Sequence, residues 1–174
     1  VNVENMVAAA SLALLAGADP LEVKRAVSTD RGVQRRFDIR FKNSKFTYID
    51  DYAHHPAEIE ATLHSVKELY AGKKVLGVFQ PHLFTRTRDF ADGFAKSLDL
   101  LDEVILLDIY PARELPIEGV TSEIIIQKMR NTNVKVCSKS ELLSSISGRE
   151  FDVLVTMGAG NIDAMAEPIV GLLT

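Results

Sequence analysis

The stretch DDYAHHP, Asp50 to Pro56, gathers two adjacent carboxylates, a tyrosine and two adjacent histidines. Two carboxylates this close repel unless a cation or a donor compensates, so at most one is explained by capping a helix. Adjacent histidines suggest a metal. On an extended segment, however, successive side chains point to opposite sides, and no further Cys/His cluster lies in the sequence to complete a ligand set. His55 precedes Pro56 and also suits a purely structural role. A second polar stretch is QPHLFTRTR, Gln80 to Arg88, in which Arg86 and Arg88 stand before a helical pattern. Cations there oppose the helix dipole, which suggests that they meet an anion. DIYPARE, Asp108 to Glu114, is a third. GAGN, Gly158 to Asn161, is a fourth; its glycines permit close backbone approach at a strand-to-helix turn, or serve only tight packing.

Each of these stretches needs an element to carry it. Short apolar runs at Val75–Phe79, Val104–Asp108, Val134–Cys137 and Val153–Met157 lack polar alternation, as strands buried on both faces do. Between them Ile59, Leu63, Val66 and Tyr70 share one helical face, and Phe90, Phe94, Leu98 and Leu101 share another. Weaker helices are expected at Ser122–Arg130 and Ser140–Ile146. A last one runs from about Asn161 to Leu173, with Pro168 kinking or breaking it. Ahead of these, Phe37, Ile39 and Phe41 alternate with charged residues. Asn43-Ser44 turns the chain, and Phe46–Asp50 returns, which predicts a β-hairpin. The expected class is α/β: a Rossmann-like, mostly parallel sheet covered by helices on both faces, preceded by the hairpin and two helices. All four polar stretches then follow the carboxyl ends of strands, and such ends of an open α/β sheet form one ligand-binding rim.

The two leading helices differ from the rest. Val3–Ala16 is apolar almost all round and reads as a buried helix ended by Gly17. Asp19-Pro20, with Glu22, opens the next as N-cap, first position and third. They read as the tail of a preceding domain, residues 1–32, with a second domain over 33–174. The chain starts at Val1 inside a helical pattern, which predicts a piece of something longer.

Composition sets wide limits. The 174 residues carry a net charge of −4, with 47% hydrophobic and 25% charged. That is an ordinary globular balance and speaks against nucleic acid as partner. No run of apolar residues is long enough for a membrane span, and the single cysteine, Cys137, fits the reducing cytoplasm. Between Lys24 and Lys45 eight basic residues face two acids, either a solvated face or an anion site.

Taken in order and spacing, DDYAHHP, FQPHLFTRTRDF and GAGNI resemble the C-terminal domain of the UDP-N-acetylmuramate–L-alanine ligases, a Mur ligase family. NVEN at Asn2–Asn5 and GVQRRF at Gly32–Phe37 resemble the end of that family's central ATPase domain and the junction after it, so the resemblance covers essentially the whole chain. It implies an ATP-dependent ligase that joins L-alanine to UDP-N-acetylmuramate through an acyl phosphate, with Mg2+. The sequence contains no G-x-x-x-x-G-K-[ST] loop. The resemblance therefore also implies missing N-terminal and central domains as partners, most of the metal ligands there, and no activity in this piece alone.

By the same match Arg36 contacts the ATP phosphates, Asn2 and Asn5 face the adenosine, and Asp51 completes the nucleotide site. Tyr52, His54, His82 and Arg86 face the acceptor amino acid and the muramoyl end; Arg36, His54 and Arg86 are the implied catalytic residues, and no metal ligand is implied here. Val1 stands where the family commonly has histidine, and Leu83 where many members carry arginine. The alternatives are a free-standing nucleotide-binding α/β module and a metal-dependent hydrolase built on Asp50, Asp51, His54 and His55.

Overall fold

A computed structural model describes residues 2–30 and 32–174, and of Asn2 the backbone only. Val1, Arg31 and the side chain of Asn2, the expected adenosine contact, lie outside the described residues.

Six strands form one sheet: β1 (Asp38–Lys42), β2 (Thr47–Asp51), β3 (Val75–Phe79), β4 (Glu103–Leu107), β5 (Val134–Cys137) and β6 (Val153–Met157), in the order β1-β2-β6-β3-β4-β5. Only β1 runs antiparallel, to β2. The expected hairpin is thus not a separate preface. Its second strand pairs in parallel with β6, Ile49 opposite Val155, and so joins the sheet. The Asn43 side chain holds the turn by accepting from the N–H groups of Lys45 and Phe46.

Apolar residues fill both faces. On one, Ile59, Leu63 and Val66 of α3 (Pro56–Leu69) and Phe94 and Leu98 of α5 (Ala91–Leu98) pack over Phe79, Val104 and Leu106. On the other, Leu142 and Ile146 of α7 (Leu142–Ile146) and Ile169 and Leu173 of α8 (Ala166–Leu173) cover Leu76, Val78 and Ile105. Strands buried on both sides need no polar alternation, which is why their sequences show none. Cys137 closes β5 and is buried, and burial raises its thiol above the usual range. Pro168 sits in the first turn of α8, where its missing N–H costs nothing; the segment before it, Asn161–Met165, is a 3-10 turn.

Three expectations are corrected. The first helix, α1 (Asn2–Leu15), is not buried: Leu12 is 67% and Leu15 85% exposed. It packs chiefly on α2 (Pro20–Thr29), with Val3 and Met6 reaching cavities at the junction, and α2 buries no residue at all. Asp19 does cap α2, accepting from the N–H groups of Leu21 and Glu22. Second, Ser122–Arg130 contains only a short α6, Glu123–Ile126. Third, Arg86 and Arg88 precede α5 as expected but themselves belong to a further helix. They lie in the last turn of a six-residue α4 (Phe84–Asp89), where the dipole favours cations. The dipole therefore gives no reason to place an anion beside them.

Candidate active site on the strand exits

Strands β2, β6, β3 and β4 are neighbours and parallel, so the four polar stretches leave the sheet side by side. Hydrogen bonds then stitch each loop to the next. The N–H of Gly158 donates to the Asp51 carbonyl (3.3 Å), and that of Gln80 to the Met157 carbonyl (3.0 Å). The Gln80 amide donates to Asn161 Oδ1 at 3.1 Å. Tyr110 donates to the Pro81 carbonyl (2.8 Å) and accepts at its own carbonyl from Leu83 (2.9 Å). Glycine is required twice in this seam. Gly158 has φ of +142°, and a Cβ there would lie 2.7 Å from the Gln80 carbonyl oxygen. A Cβ on Gly160 would lie 2.8 Å from Cβ of Tyr110.

The two adjacent acids have separate duties. Asp50 is fully buried. Its Oδ1 accepts from Thr156 Oγ1 at 2.6 Å, and Thr156 in turn meets the Tyr48 hydroxyl at 3.0 Å. Arg35 Nε stands 3.4 Å from its other oxygen. Asp51 accepts from the N–H groups of Ala53 and Phe37, both at 2.8 Å, and so fixes the junction before β1 against the loop after β2. Burial raises both carboxyls above the usual range; the hydrogen bonds and Arg35 offset this only in part.

The two adjacent histidines part as well. His55 caps α3, accepting from Ala57 N–H at 3.4 Å, and its ring packs on Phe90 at 4.8 Å. It is structural. His54 turns to the rim, with its ring 5.3 Å from Tyr52 and 6.5 Å from His82. His82 stacks on Tyr110 at 5.7 Å, and its Nδ1 faces Arg86 Nη1 at 3.5 Å. Burial and then the Arg86 charge hold the His82 ring below its usual pKa, which favours the neutral form near pH 7. Tyr52, His54, His82 and Arg86 thus form one row. Next to it Arg36, Asp51 and Tyr52 line a cavity of about 320 Å3, walled by Phe37, Ala61 and Leu69. Asn5 lies elsewhere, in a second cavity of about 460 Å3 between α1, α2 and the junction.

Residues 35–160 match the family model described as "Mur ligase, glutamate ligase domain". The chain belongs to the Mur ligase family. It is 54% identical over 173 residues to a UDP-N-acetylmuramate–L-alanine ligase of Parabacteroides distasonis, covering 99% of this chain but 37% of that protein. Against the corresponding ligase of Flavobacterium johnsoniae it is 50% identical, covering 99% and 38%. The solved UDP-N-acetylmuramate–alanine ligase of Thermotoga maritima superposes with a TM-score of 0.79 at 32% identity, over 98% of this chain and 37% of that one. A murein peptide ligase of Psychrobacter arcticus shares the fold, with a TM-score of 0.66 at 20% identity, over 98% and 36%. The chain therefore spans little more than a third of the relatives it matches.

Within this Mur ligase domain, three further residues take part in the rim beyond the expected site residues. Arg35, beside the expected Arg36, reaches the Gly158 carbonyl at 2.5 Å, approaches Asp163 at 3.7 Å and lies over the Tyr52 ring at 5.0 Å. Glu114 accepts from the N–H and hydroxyl of Thr85 and so holds the start of α4. Glu58 accepts from the N–H groups of His54 (2.9 Å) and His55 (3.1 Å) and lies 3.3 Å from His54 Nδ1. Its position three residues after the cap is a capping-box spacing, a signal present in the sequence. All four non-glycine residues with positive φ, among those described, lie in the junction or the rim loops: Arg35 (59°), Phe37 (51°), Leu83 (73°) and Ala112 (50°). Strain of this kind persists only where surrounding contacts enforce it.

Proposed function

We propose that this chain is the C-terminal part of an ATP-dependent ligase that joins L-alanine to UDP-N-acetylmuramate through an acyl phosphate, in peptidoglycan synthesis in the cytoplasm. Residues 1–32 are then the last helices of a central ATP-binding domain and 33–174 the ligase domain proper. The observation that carries the reading is the single row of Tyr52, His54, His82 and Arg86, in a chain matching L-alanine ligases over 99% of its length.

The residues suit that chemistry. Acyl and phosphoryl transfer depend on positioning and on neutralising developing negative charge. Arg86, a planar fork of donors, holds the carboxylate of the acceptor amino acid. Arg36 faces the ATP phosphates from the cavity it shares with Asp51. Both Asp51 oxygens are engaged by backbone N–H groups, yet each retains a lone pair for a nucleotide hydroxyl. Asn5, and Asn2 by the same match, serve the adenosine side from α1. Magnesium supplies charge neutralisation at the phosphates when bound. Its ligands come mainly from the central domain that precedes this one in the full-length protein.

The test is a coupled assay of ADP release with the full-length protein. ADP formation should require both UDP-N-acetylmuramate and L-alanine, and residues 1–174 alone should release none. ADP release from the isolated chain, or indifference of the full-length protein to L-alanine, overturns the reading.

A further inference from the structure

His54 and His82 are the same residue type on one rim, but their partners give them opposite polarity. Nδ1 of His54 faces the Tyr52 carbonyl at 3.0 Å and the Glu58 carboxylate at 3.3 Å. Both groups only accept, so this nitrogen carries a hydrogen, and in the neutral ring the lone pair lies on Nε2. Nδ1 of His82 faces a guanidinium, which only donates, so it accepts and its Nε2 carries the hydrogen. Glu58 is itself held by two backbone N–H groups. Burial works against its charge, but these bonds and the neighbouring histidines outweigh it and keep the carboxyl below its usual range. It is thus an ionised partner for the His54 ring, held on one oxygen by two backbone N–H groups although half exposed.

We propose that His54 Nε2 takes the proton from the incoming amino group, that Glu58 is the positioning residue which fixes its tautomer, and that His82 is a hydrogen-bond donor rather than a base. The proposal rests on the ligase reading above. An amino acid arrives as an ammonium ion, which has no lone pair with which to attack. With its carboxylate on Arg86, the nitrogen lies two bonds away, beside His82 and towards His54. One N–H bond breaks, its electron pair stays on nitrogen, and the proton passes to Nε2. The imidazolium so formed is stabilised by Glu58. The amine pair then bonds to the acyl carbon, the carbon–oxygen bond to phosphate breaks, and phosphate leaves with that pair and a second amine proton. The third proton remains on the amide. Among the described residues, the ionisable groups in contact with His54 are Glu58 from α3, Tyr52 from its own loop and His82 after β3, with Arg86 of α4 behind His82.

The full-length protein tests this with two acceptors. Hydroxylamine is largely unprotonated at neutral pH, needs no base, and traps an acyl phosphate as the hydroxamate. For His54→Ala, alanine ligation should fall by about 10²–10⁴-fold, the usual worth of a positioned base, and hydroxamate formation by a clearly smaller factor. Glu58→Gln should move the ascending limb of the pH profile of kcat/KM for alanine to lower pH, because imidazolium loses its carboxylate partner. Equal loss with both acceptors in His54→Ala overturns the base, and so does an unmoved pH profile in Glu58→Gln. An unaltered protein that forms hydroxamate but no alanine adduct fails the ligase reading instead, and the proposal with it.

Discussion

Where the strands begin, Asp102, Glu103 and Asp152 each meet a lysine, and Asp102 and Asp152 also accept from backbone N–H groups. At the opposite edge, where β2 ends, Asp50 is buried and Asp51 partly so; Arg35 stands beside Asp50, and Asp51 accepts from two backbone N–H groups. The consequences are opposite in sign. For Asp102 and Glu103 burial is outweighed by the Lys67, Lys74 and Arg149 contacts, and for Asp152 the Lys74 N–H leads, so all three carboxyls are held below their usual range. For Asp50 and Asp51 burial wins, and both are raised. One rim of the sheet matches its carboxylates with cations; the other holds raised carboxyls among loops with strained backbone.

The sharpest way to break this contrast is Arg35→Ala. It strands the Asp50 charge beside Thr156, and unfolding by urea should show a loss of about 3–5 kcal/mol. Adding Asp50→Asn should recover much of that loss; strictly additive losses would mean that the two are not coupled. Gly160→Ala should cost about 2 kcal/mol, since its Cβ overlaps the Tyr110 and Gln80 side chains, and it should disturb the His82–Tyr110 stack in the same stroke. On the opposite rim, Asp102→Ala removes one acceptor of the Val75 N–H. A loss of about 1.5 kcal/mol in the same titration is expected, with no change in affinity for an acceptor amino acid.

The pH dependence separates the rims further. A depressed carboxyl adds stability that is present above its ordinary value, 3.8 for Asp102 and 4.5 for Glu103, and that is lost as pH falls through the lower folded value. A raised carboxyl does the reverse, because the folded state holds the proton longer. Asp102→Asn should therefore flatten the fall of the thermal midpoint below about pH 4, whereas Asp50→Asn should steepen it. Profiles that change alike would erase the distinction. Smallest of all, Leu12→Ser on α1 should shift stability by no more than about 0.5 kcal/mol, because Leu12 is largely exposed.

The strand exits were legible in the sequence because fully apolar runs mark buried parallel strands and polar residues follow each one. That the four polar loops share one rim follows from this pattern; that His54, His82 and Arg86 are the residues to watch on it came only from the family resemblance. Burial of α1 was misread because apolar composition reports what a helix can bury, not what is there to bury it. The short α4 leaves no periodic trace, so the sequence shows Arg86 and Arg88 only ahead of α5 and not in the last turn of the helix that ends at Asp89. Arg35 and Glu58 escaped for a different reason. Their work is done through partners 123 residues away in the first case, at Gly158, and through a ring nitrogen in the second. Neither leaves a periodicity.

Cys137 gives the molecule an internal clock. It is the only thiol in the chain, it sits at the end of the outermost strand, and burial keeps it protonated and out of reach. An alkylating reagent should reach it only through local opening around β5 and α7, so the labelling rate in native buffer reports those openings. A ligand that tightens the neighbouring β4 exit loop should slow the count without ever approaching the sulfur.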